Sequence, residues 1–191
     1  MSAQKTFVQN EIFESTQLTQ NALMREYESC HFKACDFSSL ILNGVQFLEC
    51  TFEDCNFSMV QTANTTFSDA RFKQCKLLGI RFDQCNRMLL SFTFENCVLN
   101  FASFLKLKLK EMIFKDSSMQ DVEFAEADLT NVSFLNCDLH RANFEHTILE
   151  GADLRSAYNF SIDPEVNKIK KARFAQDNLS GLLHKYNLRI D

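Results

Sequence analysis

The chain has 191 residues, a formal net charge of −5 and a hydrophobic fraction of 46%, which includes 20 Phe but no Trp. This acidic balance argues against direct binding of nucleic acid. The sequence contains no run of about 18 apolar residues, so it predicts no membrane span. Residues 1–15 lack the charged and apolar regions of a signal peptide, so we expect a cytoplasmic protein.

Large apolar residues recur at every fifth position, a spacing that fits neither an α-helix nor a simple β-strand. In residues 1–29 the spacing is irregular, because Phe13, Leu18 and Leu23 follow it and Tyr27 then comes one residue early. We therefore predict an imperfect first coil, or a cap, for residues 1–29.

The spacing is regular over residues 30–157, and we call the large apolar residue of each group of five position i. Position i is occupied by Phe32, Phe37, Leu42, Phe47, Phe52, Phe57, Thr62, Phe67, Phe72, Leu77 and Phe82, and after an interruption by Phe94, Leu99, Phe104, Leu109, Phe114, Met119, Phe124, Leu129, Phe134, Leu139, Phe144, Leu149 and Leu154. In an extended segment i−2 and i point to the same side, and the two residues after i must turn a corner. Five residues therefore make one side of a coil, and stacked coils form an all-β solenoid.

The number of sides follows from the distance at which like residues recur. Phe32, Phe52 and Phe72 recur at every twentieth position, which predicts coils of four sides with like residues stacked in columns. A recurrence at every tenth position fits the alternation of Phe and Leu nearly as well.

All the cysteines lie at i−2. They are Cys30, Cys35, Cys50, Cys55, Cys75, Cys85, Cys97 and Cys137. This position predicts eight small buried hydrophobic residues. The sequence contains no C-x-x-C motif, which argues against zinc ligands and against a disulfide framework.

The repeat is interrupted at about residues 86–92. An unbroken repeat would place Arg87 in the core, where an unpaired charge is unfavourable. Two extra residues would instead let the chain bulge outward. The candidate bulge comprises Arg87, Met88, Leu89 and Leu90. It is either a plain bulge or a small recognition feature at mid-rod.

Residues 158–191 leave the repeat. Asp163 followed by Pro164 is typical of a helix start, and a leucine-rich segment follows, so we expect a short α-helical tail. Such a tail either caps the last coil or pairs two rods about a two-fold axis. The candidate dimer contacts are Ile169, Leu179, Leu182, Leu183 and Leu188.

The groups ADLTN, CDLHR, ANFEH and ADLRS resemble the repeat of the pentapeptide-repeat family. This resemblance implies a right-handed quadrilateral β-helix. The ending of the chain is similar to that of the topoisomerase-protection branch, which includes plasmid quinolone-resistance proteins and the immunity protein for microcin B. The branch implies a C-terminal homodimer that binds DNA gyrase or topoisomerase IV as a mimic of B-DNA. The chain departs from some of its members because it lacks long protruding loops.

The charge distribution gives mimicry of DNA limited support. A dimer would carry −10 (2 × −5), whereas DNA presents about one negative charge per 1.7 Å of its axis. A local acidic face remains possible, with candidate residues Asp116, Asp121, Glu123, Glu126 and Asp128.

No sequence motif of an enzyme or cofactor site is present, so we expect neither catalysis nor a cofactor. The sequence thus predicts a non-enzymatic protein that binds a type II topoisomerase and protects it from inhibitors. The alternatives are a structural or adaptor scaffold for another protein, or a protein that sequesters a drug or toxin directly.

Overall fold

The computed structural model describes residues 7–23 and 25–189, which wind into a parallel β-helix of short strands. The strands are β1 (Phe7–Gln9), β2 (Ile12–Glu14), β3 (Glu26–Glu28), β4 (His31–Lys33), β5 (Gln46–Leu48), β6 (Thr51–Glu53), β7 (Thr66–Ser68), β8 (Ala70–Lys73), β9 (Phe92–Glu95), β10 (Ile113–Lys115) and β11 (Ser133–Leu135). The predicted all-β solenoid is confirmed.

Each coil has four sides. One side is the sheet β1-β3-β5-β7, and the next is the seven-stranded sheet β2-β4-β6-β8-β9-β10-β11. The other two sides are held by single parallel bridges, such as Asp36 with Asn56 and Ser103 with Glu123. Phe32 pairs with Phe52, which confirms that one coil comprises four groups of five.

The core consists of columns of stacked rings. Ring centroids along the column lie 5.1 Å apart for Phe32 and Phe52 and 4.9 Å apart for Phe52 and Phe72. The column continues across the interruption, with 5.3 Å between Phe72 and Phe94. Rings of neighbouring columns meet edge to face, so each ring has both stacked and T-shaped neighbours, two arrangements that aromatic pairs prefer.

The cysteines fill the space between these columns. All eight are buried and free, as their position in the repeat predicts. Their thiols lie near backbone carbonyl groups, and the Cys55 Sγ, for example, donates to the carbonyls of Phe32 and Glu53 at 3.3 Å. Each thiol is therefore a small core group with a weak hydrogen bond.

The corners use a backbone conformation that is normally reserved for Gly. At one corner the Ala102 N–H donates to the Leu99 carbonyl at 2.9 Å and Phe101 has a φ of 61°, the geometry of a type II turn. Met59 has the same positive φ. This conformation costs a non-glycine residue about 1–2 kcal/mol. The N–H of such a corner residue donates to the next coil. The Phe101 N–H, for example, donates to the Gln120 carbonyl at 2.9 Å, so the stacking of coils holds the conformation in place.

The first coil is one residue short. Phe7 pairs with Glu26 and Phe13 with Phe32, whereas the partners in later coils, such as Phe32 and Phe52, lie one position further apart in the sequence. This explains the early Tyr27. Residues 7–23 and 25–29 thus form an imperfect first coil, one of the two structures that the sequence allows.

The interruption adds two residues to one coil, because Ala70 pairs with Phe92, where an uninterrupted coil would pair it with Leu90. The extra length forms a 3₁₀ turn at Arg87–Leu89 that projects into solvent. Phe92 is a large ring at a position that the preceding coil fills with Ala70, and it packs 4.7 Å from Phe82 and 5.0 Å from Phe94. We infer that it fills the core space that Arg87 leaves.

The ladder of coils extends beyond residue 157, where the sequence predicts that the repeat ends. Ile148 bridges Lys168, and Asp153 bridges Arg173. The chain therefore builds part of a further coil before the tail begins.

After Pro164 the chain forms a turn and not the helix that the sequence predicts there. The Asp163 carboxylate does accept from the Glu165 N–H at 2.9 Å, as a helix cap would. However, the Asn167 side chain donates to the Asp163 carbonyl and accepts from the Thr147 N–H of the preceding coil at 2.7 Å. This link returns the chain to the ladder before a helical turn can continue.

The tail helix is present, but it is a 3₁₀ helix at Gln176–Leu182, followed by a second at His184–Tyr186. It packs across the end of the rod. Gly181 lies against the Phe160 ring, leaving no room for a Cβ, and its carbonyl accepts from the Ile162 N–H at 2.9 Å. The Asn178 side chain donates to two carbonyls of the last complete coil. The tail thus closes the open end of the solenoid.

Substitution of a stacked ring tests the columns. Phe124 is fully buried and lies 5.2 Å from Phe104 and 5.3 Å from Phe144. We expect Phe124→Ala to lower the free energy of unfolding by about 3–5 kcal/mol, because it leaves a cavity in a column. The exposed Glu126→Ala should change it by less than about 1 kcal/mol. Urea unfolding followed by circular dichroism measures both, and equal effects would contradict the stacked core.

Thiol reactivity tests cysteine burial. Burial raises the pKa of Cys50, Cys85 and Cys137 from the ordinary 9.0 to about 12. The thiolate is the nucleophile that attacks an alkylating reagent, so the native protein at pH 8 should react slowly, whereas the chain in guanidinium should show all eight thiols. Rapid reaction of the native protein would contradict the burial.

The same pKa shifts predict alkaline destabilisation. Above pH 9 the unfolded chain releases thiol protons that the folded chain keeps until about pH 12. Stability from these groups is therefore complete below pH 9 and is lost as the pH rises toward 12, which urea midpoints at several pH values can follow.

Candidate interaction surfaces

The interaction surfaces of the rod are its four sides and the corners between them. In residues 7–23 and 25–189, no group of three or more His, Cys, Asp or Glu side chains could hold a metal ion. Over the same described residues, no helix has the length and apolar character needed to cross a membrane. Candidate functional residues therefore have to be sought among the exposed side chains of the four sides and corners.

The five carboxylates predicted as an acidic face do not share one side. Asp116 follows β10, whereas Glu123 and Asp128 belong to the ladders of Ser103 and Lys108 on two other sides. Successive groups of five residues lie on successive sides of a coil. A cluster that is close in sequence is therefore spread around the rod.

These carboxylates also have partners. Asp121 pairs with Arg141 at 2.9 Å and Glu126 with Lys106 at 3.2 Å. Burial alone would raise the pKa of Asp128, but hydrogen bonds from Thr130 and the nearby Lys110 hold that pKa below its usual value. Asp116 also lies 4.0 Å from Lys115. Four of the five charges are thus matched by a basic group within the molecule, which weakens the predicted acidic face.

Several pairs of opposite charges join adjacent coils. The pairs are Glu14 with Lys33, Glu53 with Lys73, Glu95 with Lys115, Lys106 with Glu126, Asp121 with Arg141, and Asp153 with Arg173. Exposed pairs of this kind add little stability, but they neutralise charge that a partner would otherwise meet.

Four carboxylates along one side and one corner of the second to fourth coils lack such a partner. Glu26, Glu28, Glu49 and Asp69 form no ion pair with any residue that the structure describes. They lie along the side of β3, β5 and β7 and the corner that follows it. Sequence reasoning missed them because they are far apart in sequence. The four-sided coil is the sequence signal that could have found them, because it places Glu49 and Asp69 at the same corner of adjacent coils.

A groove of about 670 Å³ runs along this corner over four coils. Glu49, Asp69 and Arg71 all contribute charged side chains to its lining. The other lining residues are Ser29, Cys30, His31, Thr51, Ala70, Ser91, Phe92 and Thr93. The groove therefore presents both signs of charge and several hydrogen-bonding groups.

The bulge adjoins the end of the groove. Met88 is 91% exposed and Leu89 is 53% exposed, and Arg87 is also exposed. Leu90, the fourth predicted bulge residue, is only partly exposed and packs against the core. Two large apolar side chains thus project from the surface immediately before groove residue Ser91.

A second apolar patch lies at the diagonally opposite corner. Met59 and Phe101 are exposed there, on either side of Gly79 in the intervening coil. Val98 is also exposed, and Leu78 is partly buried. This patch is separate from the groove and provides a matched surface for control substitutions.

The predicted dimer contacts in the tail divide into two groups. Ile169 and Leu182 pack against the core of their own chain. Leu179, Leu183 and Leu188 are exposed. The first two residues therefore help to close the rod, and only the other three are free for a partner.

Comparison with known proteins identifies the repeat. The family described as "Pentapeptide repeat region" matches residues 26–93 and 88–158. No curated protein matches the sequence significantly.

Two solved structures have a similar fold. A trypsin-treated variant of QnrB1, a plasmid-mediated fluoroquinolone resistance protein, has a TM-score of 0.64 at 16% identity, covering 97% of this chain and 100% of the other. HetL, involved in heterocyst differentiation regulation in the cyanobacterium Nostoc sp. strain PCC 7120, has a TM-score of 0.72 at 15% identity, covering 88% of this chain and 85% of the other. The family match covers more than half of the sequence and agrees with the coils described above, so the chain belongs to the pentapeptide repeat family.

Proposed function

We propose that this protein is a non-enzymatic rod that binds a type II DNA topoisomerase, DNA gyrase or topoisomerase IV, and protects it from an inhibitor. The observation that carries the proposal is a fold similar to that of a fluoroquinolone resistance protein over nearly the whole of both chains. The low sequence identity leaves the choice of partner to experiment.

The acidic side of the first coils supports a limited mimicry of DNA. Its unpaired carboxylates, Glu26, Glu28, Glu49 and Asp69, lie on coils that are about 4.8 Å apart, the spacing of adjacent strands. A DNA strand places phosphates at about 3.4 Å along its axis. A basic surface that normally holds DNA could meet this side of the rod, whereas the paired charges elsewhere would contribute little.

A gyrase assay tests the proposal. Purified protein should reduce quinolone-stabilised cleavage complexes, or restore supercoiling, at concentrations that leave gyrase active. Glu26→Gln with Glu28→Gln should weaken this effect about tenfold, because it removes two unpaired charges from the binding side.

The matched control is Asp121→Asn with Glu126→Gln, which removes two charges that are already paired. It should protect nearly as well as the unaltered protein. The absence of any effect on supercoiling, on cleavage complexes and in a direct binding assay with gyrase and topoisomerase IV would rule out the proposed function.

We further propose a homodimer through the tail. Leu179, Leu183 and Leu188 leave exposed apolar surface at the end of the rod, and two such ends can bury it about a two-fold axis. This arrangement would give a rod of twice the length, with the acidic sides at its two far ends.

Point substitutions test the dimer better than truncation, because residues 167–173 help to build the last coil. Light scattering at micromolar concentration should give a dimer for the unaltered chain and a monomer for Leu183→Asp with Leu188→Asp. The exposed Met88→Asp should leave the dimer intact. A monomeric unaltered chain would contradict the proposed tail contact.

An adaptor or regulatory scaffold is the second candidate. The fold similarity to HetL and the exposed patch of Met59 and Phe101 favour it. A scaffold of this kind would bind another protein and would leave gyrase unaffected.

A further inference from the structure

The bulge and the groove adjoin on one corner of the rod. We propose that they form a single docking surface for a partner protein that presents an apolar recess beside one basic side chain. Met88 and Leu89 would enter the recess, and the basic side chain would enter the groove against Glu49 and Asp69. This proposal deepens the proposed function, and rests on it only where the partner is taken to be a topoisomerase.

The bulge departs from the repeat in a way that the fold does not require. In the regular coils, equivalent core residues stack on one another from each coil to the next. Here two extra residues interrupt the side that carries β3, β5 and β7. Their result is to expose Met88 and Leu89 in the middle of a polar surface. Met is enriched in protein interfaces, where buried apolar anchors supply much of the affinity.

The bulge is held in one conformation. The Asn86 side chain accepts from the Met88 N–H at 3.2 Å and donates to the Thr66 hydroxyl at 3.2 Å. The Arg87 guanidinium donates to the Asp83 carbonyl at 3.3 Å. Phe92 fills the core beneath. A preorganised apolar projection loses less conformational entropy when it binds than a flexible loop does.

The carboxylates of the groove are oriented but not neutralised. Ser29 donates to Glu49 Oε2 at 3.4 Å, and Ser91 donates to Asp69 Oδ1 at 3.0 Å. Both partners are neutral hydroxyls, so neither hydrogen bond supplies an opposite charge. A guanidinium or ammonium group that enters the groove can therefore form charge-assisted hydrogen bonds with these two side chains.

Arg71, which also lines the groove, restricts what can enter. It has no ion-pair partner among residues 7–23 and 25–189. Its charge would repel a second basic side chain, so the groove favours a single cation placed beside Glu49 and Asp69. Arg71 would repel a continuous basic strip, and the two carboxylates would repel a nucleic acid.

The first experiment measures the affinity of full-length variants for gyrase and topoisomerase IV by interferometry. Met88→Ser with Leu89→Ser should weaken binding about tenfold or more, and Glu49→Gln with Asp69→Asn by about fivefold. The control Met59→Ser with Phe101→Ser, at the opposite corner, should stay within about twofold. If the control weakens binding as much as the bulge variant does, the proposed surface is wrong.

The second experiment does not depend on a topoisomerase. Amide NMR of the full chain is recorded during titration with N-acetyl-arginine amide and, separately, with the neutral isostere N-acetyl-citrulline amide. The arginine probe should shift signals of residues 29–31, 49–51, 69–71 and 91–93. The shifts should be absent with citrulline and in the Glu49→Gln, Asp69→Asn variant.

The two experiments separate the proposals. Arginine-specific shifts without topoisomerase binding would overturn the proposed function and support the groove as a cation site. Equal shifts with both probes, or none at these residues, would overturn the groove proposal even if the rod binds gyrase. Binding that survives the bulge substitutions would remove Met88 and Leu89 from the docking surface.

Discussion

The structure depends on one constraint, which is that every coil must place its backbone groups opposite those of the next coil. The parallel ladder fixes the regular coil at four groups of five and stacks like side chains, as in the column of Phe32, Phe52 and Phe72. The same ladder holds bulky residues such as Phe101 at corners that would otherwise need Gly. Core packing, corner conformation and cysteine burial all follow from this register.

The constraint also governs where function can be carried. Inward positions are taken up by packing, so only outward side chains and departures from the repeat are free to bind a partner. The corner of Glu49 and Asp69 combines both, because unpaired carboxylates adjoin the bulge at Met88 and Leu89. Several other charges of the surface, such as those of Glu126 and Lys106, are paired between coils. A binding surface on this rod is therefore local, and net charge is a poor guide to it.

Sequence reasoning succeeded where an interaction repeats and failed where it occurs once. The columns and the outward turn of Arg87 follow from a pattern sampled many times. The turn after Pro164 does not, because a single side chain, Asn167, ties that segment to the preceding coil through Thr147. The acidic cluster at residues 116–128 was predicted from nearness in sequence, which a coil with four sides converts into separation in space.

The sequence by itself determined the solenoid, the number of its sides, the buried cysteines and the position of the bulge, since a five-residue period has few other solutions in a closed core. The tertiary structure decided which stacked charges form ion pairs, because side-chain positions, and not the register alone, bring Glu126 within 3.2 Å of Lys106 on the preceding coil. It also decided that Ile169 and Leu182 close the rod while Leu183 stays exposed, because only the docked tail shows which apolar face meets the last coil.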